Sequence, residues 1–257
     1  MARAAKNIRN CRTSSRSWAS SLSWKSWYRN RIFLVSHSNR LLLNEGAGHA
    51  LWLLGAAVIG FAVSWTFSGI LRFRRAEFVL AHALVAGGFV AAYFHWSGLN
   101  LVRPMRSNWI QGFAAAALGG SFVVANVLSQ PSSPSFRGFA LAFALFWEGL
   151  VYGLADSLLL TVVPVAAAST ALSSSKHRWI RAAGGLVASV AITSAYHLGF
   201  DEFRGLAVVG PIVGNAVLTL AYLASSSPLA PILGHVAMHV AAVLHGIDTS
   251  IQLPPHY

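Results

Sequence analysis

Glu148, His197, His235 and His239 stand inside stretches of the chain that are otherwise apolar. A titratable side chain at that depth of an apolar helix is costly unless it is paired or wetted. A carboxylate on one segment, an imidazole on a second and a His-x-x-x-His pair on a third are the parts that activate water or hold a metal. Glu148 lies in Phe146-Trp147-Glu148-Gly149-Leu150-Val151-Tyr152-Gly153-Leu154-Ala155-Asp156. On a helix, Glu148, Tyr152 and Asp156 at i, i+4 and i+8 share one broad face, which can turn a carboxylate inward. The ordinary reading of Glu148 is a hydrogen-bonded residue that glues helices together. Asp156 reads equally well as a structural residue near a helix junction, satisfied by the Tyr152 hydroxyl.

His197 falls near the end of an apolar run, in Tyr196-His197-Leu198-Gly199-Phe200-Asp201-Glu202-Phe203-Arg204. It reads as a base or as an interfacial residue, and Asp201, Glu202 and Arg204 as the mouth of a polar cavity or as a solvated loop. His235 and His239 stack on one helix face, where one ring can orient water while the other steadies an oxyanion. Together with Glu148 and His197 they also form an ordinary ligand set for zinc with a position left for water. Tyr152, Asp156 and Asn215 are candidates to support those four residues. His82, His95 and His245 are assigned to packing or to the membrane interface.

The elements that must position these residues are membrane helices. The chain has 257 residues, 55% hydrophobic and only 10% charged, far below the roughly 25% charged residues of soluble domains. Apolar runs long enough for a bilayer, roughly 20 residues, cover 49–71, 78–98, 109–128, 139–172, 182–200, 205–225 and 228–245. Backbone hydrogen bonds must close within each span, so the expected fold is an all-α polytopic bundle of seven to eight transmembrane helices. The exception is 139–172, which is too long for one upright span and contains Pro164. It reads as one kinked helix or as two spans.

The formal charge of +12 resembles a nucleic-acid signal until it is located. Nine Lys and Arg, from Arg3 to Arg40, lie in an acid-free N-terminal arm, residues 1–44, that is rich in Ser, Arg and Trp. That distribution points to anionic lipid and not to nucleic acid. The arm fits a transit peptide, a basic interfacial segment or an upstream extension, and is expected to be poorly ordered. Residues 45–257 form the transmembrane domain. The expected location is the bacterial cytoplasmic membrane, or an organellar membrane if the arm is a transit peptide. The lone Cys11 excludes an intrachain disulfide framework.

The segment Pro228-Leu229-Ala230-Pro231-Ile232-Leu233-Gly234-His235-Val236-Ala237-Met238-His239 resembles the last motif of the CAAX prenyl protease and bacteriocin-processing (CPBP, or Abi) family of intramembrane proteases. Glu148 is similar to the first acid of that family's Glu-Glu-x-x-x-Arg motif, and His197 to the histidine of its Phe-x-x-x-His motif. The order of motifs agrees over about 139–246. Gly149 stands where the second Glu is expected, Gly153 where the Arg is, Thr193 where the Phe is, and His239 where Asn is usual. The resemblance implies an intramembrane endopeptidase in which Glu148 and His197 activate water while His235 and His239 steady the tetrahedral oxyanion.

Three functions are therefore in play. The first is hydrolysis of a peptide bond in a membrane-associated peptide or protein, lipidated in the best-known branch of that family. The second is a catalytically retired relative that binds a membrane partner or confers immunity. The third is a small proton-coupled transporter that uses the intramembrane Glu and His as a relay.

Overall fold

The structure is a computed structural model that describes residues 39–134, 136–246 and 253. Residues 1–38 of the basic arm, with the readings attached to them, lie outside the described residues. Every regular element among the described residues is helical, and none is a strand.

Eight helical runs follow one another. They are α1 (Asn39–Val63), continued by a π-helical stretch over Ser64–Ile70; α2 (Arg75–Ser97); the short α3 (Val102–Ser107); α4 (Trp109–Leu128); α5 (Gly138–Ala171); α6 (Arg178–Leu198); α7 (Val209–Ser225); and α8 (Leu229–His245). Among the described residues, five helices are long and apolar enough to cross a membrane: Gly46–Ile70, Arg75–Ser97, Trp109–Leu128, Gly138–Ala171 and Gly205–Ser225. Large apolar side chains such as Leu51, Leu84 and Leu118 face outward from these helices, which suits a lipid bilayer and not water. Of the other two expected spans, α8 has 17 residues, about 26 Å of helix. α6 opens on Arg178 and Arg181.

Close approaches at glycines fix how the helices run. Gly112 meets Ser227 and Leu229 while Gly120 meets Gly234, so α4 and α8 are parallel. Gly119 meets Ala221 and Gly214 meets Val123, so α7 runs against α4. Gly185 packs on Val165 and Gly184 on Leu172, so α6 runs against α5. Of the five membrane-length helices, α5 is by far the most buried inside the bundle.

Pro164 does not divide α5. A proline in a helix has no amide to donate to the carbonyl four residues back, and its ring crowds that carbonyl. Here that carbonyl belongs to Leu160, and the helix widens into a π turn over Leu158–Val162 just before the proline, which relieves the crowding. The freed Leu160 oxygen accepts a hydrogen bond from Ser189 Oγ at 2.6 Å. An orphan carbonyl in an apolar interior costs several kcal/mol, so α6 must lie against this turn. The result is one continuous helix with a second π turn, over Leu145–Val151, on the near side of Tyr152–Ser157.

Candidate functional site

Tyr152–Ser157, bracketed by the two π turns, carries the chemistry of α5. Asp156 is buried, with a relative exposure of 4%, and two imidazoles flank its carboxylate. His82 Nε2 of α2 lies 3.0 Å from Oδ1, and His239 Nε2 of α8 lies 3.3 Å from Oδ2. Both are ion-pair distances, though their angles fall short of well-directed hydrogen bonds. Above this clamp the Tyr152 and Tyr196 hydroxyls share a hydrogen bond of 2.6 Å. The Tyr152 ring packs on His82 at 5.3 Å and on His239 at 4.7 Å between centroids.

α8 comes this close because of two glycines. A Cβ on Gly153 would lie 2.9 Å from Val236 Cα and 3.2 Å from the His235 carbonyl oxygen, and one on Gly149 would lie 2.9 Å from Val240 Cγ2. Gly149 and Gly153 thus form a small-x-x-x-small contact surface on which the helix of His235 and His239 rests. The same contact accounts for the absence of a larger residue at either position: a Glu or Arg would displace α8.

A cavity of about 310 Å³ opens beside the clamp. Tyr152, Asp156, Tyr196, His197, His235 and His239 are on its wall, and Asn215 and Thr193 also reach it. The histidine tautomers follow from their backbone partners. His197 Nδ1 is 2.9 Å from the Thr193 carbonyl oxygen, and His235 Nδ1 is 3.0 Å from that of Pro231. Only a protonated nitrogen can meet a carbonyl, so each neutral ring keeps its lone pair on Nε2. The Asp156 carboxylate acts on both rings electrostatically.

Asn215 ties the wall together. Its Nδ2 donates to Thr193 Oγ1 at 2.6 Å and to Ser189 Oγ at 2.8 Å, and its Oδ1 accepts from Thr161 Oγ1 at 2.6 Å. Through Thr193, whose carbonyl holds His197, the amide on α7 sets part of the cavity wall on α6.

The structure therefore brings together six of the seven residues singled out in the sequence: His197, His235, His239, Tyr152, Asp156 and Asn215. Glu148 is not among them. It is buried two turns nearer the start of α5, where Arg75 is its charged neighbour. The Arg75 guanidinium also donates to the Leu253 carbonyl at 3.2 Å, and Trp147 Nε1 donates to the Ala76 carbonyl at 3.0 Å. Glu148 thus belongs to the junction between α5 and the start of α2. His82, which the sequence assigns to packing or to the membrane interface, is a member of the clamp. The signal that could have found it is the rule applied to the other histidines: a titratable group inside an apolar helix needs a partner.

The loop residues Asp201 and Arg204 form an exposed ion pair of 2.8 Å. Phe200 and Phe203, and none of the charged residues, reach the cavity there. His245 is at the end of α8 against the Gln130 carbonyl at 2.8 Å, and His95 is exposed. Among the described residues, no three of His, Cys, Asp and Glu converge as a set of metal ligands. The quartet Glu148, His197, His235 and His239 is thus not gathered around one point, and no step below passes through zinc.

Comparison with protein-family models, with curated proteins and with solved structures finds no match to the chain.

Proposed function

We propose that the protein is an intramembrane hydrolase of the peptidase class, in which His235 and His197 hold and deprotonate the attacking water beside the Asp156 carboxylate. The observation that supports this best is the Asp156 clamp, set on the wall of the cavity lined by His197, His235 and Tyr196. The resemblance to CPBP proteases assigns the carboxylate role to Glu148. Because Glu148 lies off the cavity wall, the proposal transfers that role to Asp156.

In this mechanism water donates its hydrogen bonds to the Nε2 lone pairs of His235 and His197. His235 takes one proton, and the negative charge of Asp156 stabilises the resulting imidazolium. The hydroxide adds to the scissile carbonyl carbon. With Tyr152 donating to Tyr196 across their 2.6 Å contact, the Tyr196 hydroxyl proton is left to donate to the oxyanion. His235 then returns its proton to the leaving amine as the C–N bond breaks. His82 and His239 touch neither water nor substrate here; they hold Asp156 in place.

The test is cleavage of a fluorogenic peptide library by the purified chain in liposomes, with Asp156→Asn, His235→Gln and Glu148→Gln in parallel. The reading requires cleavage that the first two variants lose and Glu148→Gln retains. Loss in Glu148→Gln with retention in Asp156→Asn would restore the role implied by the resemblance. Absence of cleavage in every form would favour a retired binding protein.

A further inference from the structure

The cavity wall includes residues that also lie on the outer surface of the bundle. Phe122 on α4 and Val209 and Val213 on α7 line the cavity, yet they are 50%, 49% and 45% exposed. Both helices belong to the set long and apolar enough to cross a membrane, so these half-exposed apolar residues face the bilayer.

The two helices touch in one region and part in another. Gly119 packs against Ala221 and Leu218, and Gly214 meets Val123. One turn further toward the start of α7, a Cβ on Gly210 would have nothing within 4 Å. The gap between α4 and α7 therefore lies between Phe122 and Asn126 on one side and Val209, Gly210 and Val213 on the other. Away from these exposed lips the wall is fully buried, both at Leu160 and Leu218 and at the polar residues Tyr152, Asp156, Tyr196, His235 and His239.

We infer that the cavity is entered sideways from the bilayer, between α4 and α7, by a single-chain amphiphile with a small uncharged carbonyl-bearing headgroup such as a monoacyl ester or amide. The inference goes beyond the peptidase reading, since it concerns what reaches the cavity from the bilayer and not which bond is cut there. The apolar lips suit an alkyl chain, and a carbonyl group suits the inner end, where tyrosine hydroxyls donate and imidazole lone pairs accept. A buried carboxylate at that end disfavours an anionic headgroup.

Photolabelling in phosphatidylcholine liposomes tests the portal without requiring turnover. One monoacylglycerol probe carries a diazirine at the chain end, and a second carries it beside the ester. The expected result is that the first labels the lips at Phe122 and Val213 and the second labels Met238 and Leu218. Val213→Trp, which fills the gap, should cut labelling at Met238 and Leu218 by roughly tenfold while leaving chain-end labelling of the lipid-facing Leu118 unchanged. Phe122→Ala, which widens the gap, should raise inner labelling.

Absence of inner labelling in the wild-type chain would overturn the inference, as would inner labelling that neither variant changes. Displacement of the second probe by a water-soluble peptide lacking any alkyl chain would also overturn it. Labelling that persists in Asp156→Asn supports the portal independently of cleavage, so failure of the hydrolase reading and failure of this inference give different results.

Discussion

His82 Nε2 lies 3.0 Å from Asp156 Oδ1 on a helix far from it in sequence, and the second carboxylate oxygen faces His239. A carboxylate so placed is a structural keystone as well as a candidate participant in chemistry. Removing one member of a buried polar cluster leaves the Asp156 carboxylate short of a partner, a loss of about 1–3 kcal/mol or more for a charged group. His82→Phe should therefore destabilise the chain strongly in detergent unfolding. The double variant with Asp156→Asn should be less than additive. Additive losses in that cycle would show that the two residues do not interact.

The contact between α5 and α8 predicts two different outcomes for two glycines. Gly153→Ala meets the backbone of Val236, which cannot move without shifting α8, and should cost about 1–3 kcal/mol as overpacking does. Gly149→Ala meets the end of the Val240 side chain, which can turn away, and should cost less. Gly88→Ala, with nothing within 4 Å of its Cβ, should be neutral or stabilising, since alanine is favoured over glycine in a helix by about 1 kcal/mol. Melting temperatures of the three variants rank them directly.

Pro164 and Ser189 both bear on the Leu160 carbonyl. Ser189→Ala removes the closer donor and leaves only Asn215 Nδ2, at 3.4 Å from the same oxygen, so it should destabilise by about 1 kcal/mol. Pro164→Ala supplies a backbone amide to the same oxygen and should recover part of that loss in the double variant. If Pro164→Ala instead worsens Ser189→Ala, the π turn is not the answer to the proline.

Zinc binding is open to a direct check. Because the expected quartet does not converge, zinc content measured by mass spectrometry should be equal in the wild-type chain, His235→Ala and Glu148→Gln. Treatment with a chelator should leave the melting temperature unchanged. Stoichiometric zinc lost in His235→Ala would mean that the helices close around a metal in a way this arrangement does not display.

Much of the fold was legible because apolar runs of bilayer length leave the backbone few alternatives to a helix. The all-helical bundle, the positions of the helices and the inward faces of α5 and α8 came from that constraint. So did the grouping of His235 with His239 and of Tyr152 with Asp156, since a helical repeat of 3.6 residues places them on one face whatever the surroundings. Whether Pro164 divides α5 was not legible. The answer depends on Ser189 and Asn215, donors on other helices that satisfy the carbonyl the proline leaves open.

By itself, then, the sequence determined that titratable groups would stand inside an apolar helical bundle and which helices would carry them. Only the tertiary structure decided which of them meet. Asp156 rather than Glu148 reaches the cavity because π turns on both sides of Tyr152–Ser157, and the close approach of α8 over Gly149 and Gly153, set the level at which α2, α5 and α8 face one another. His82 joins that level because a carboxylate in an apolar interior must find partners, and such partners are chosen by distance in space and not by separation along the chain.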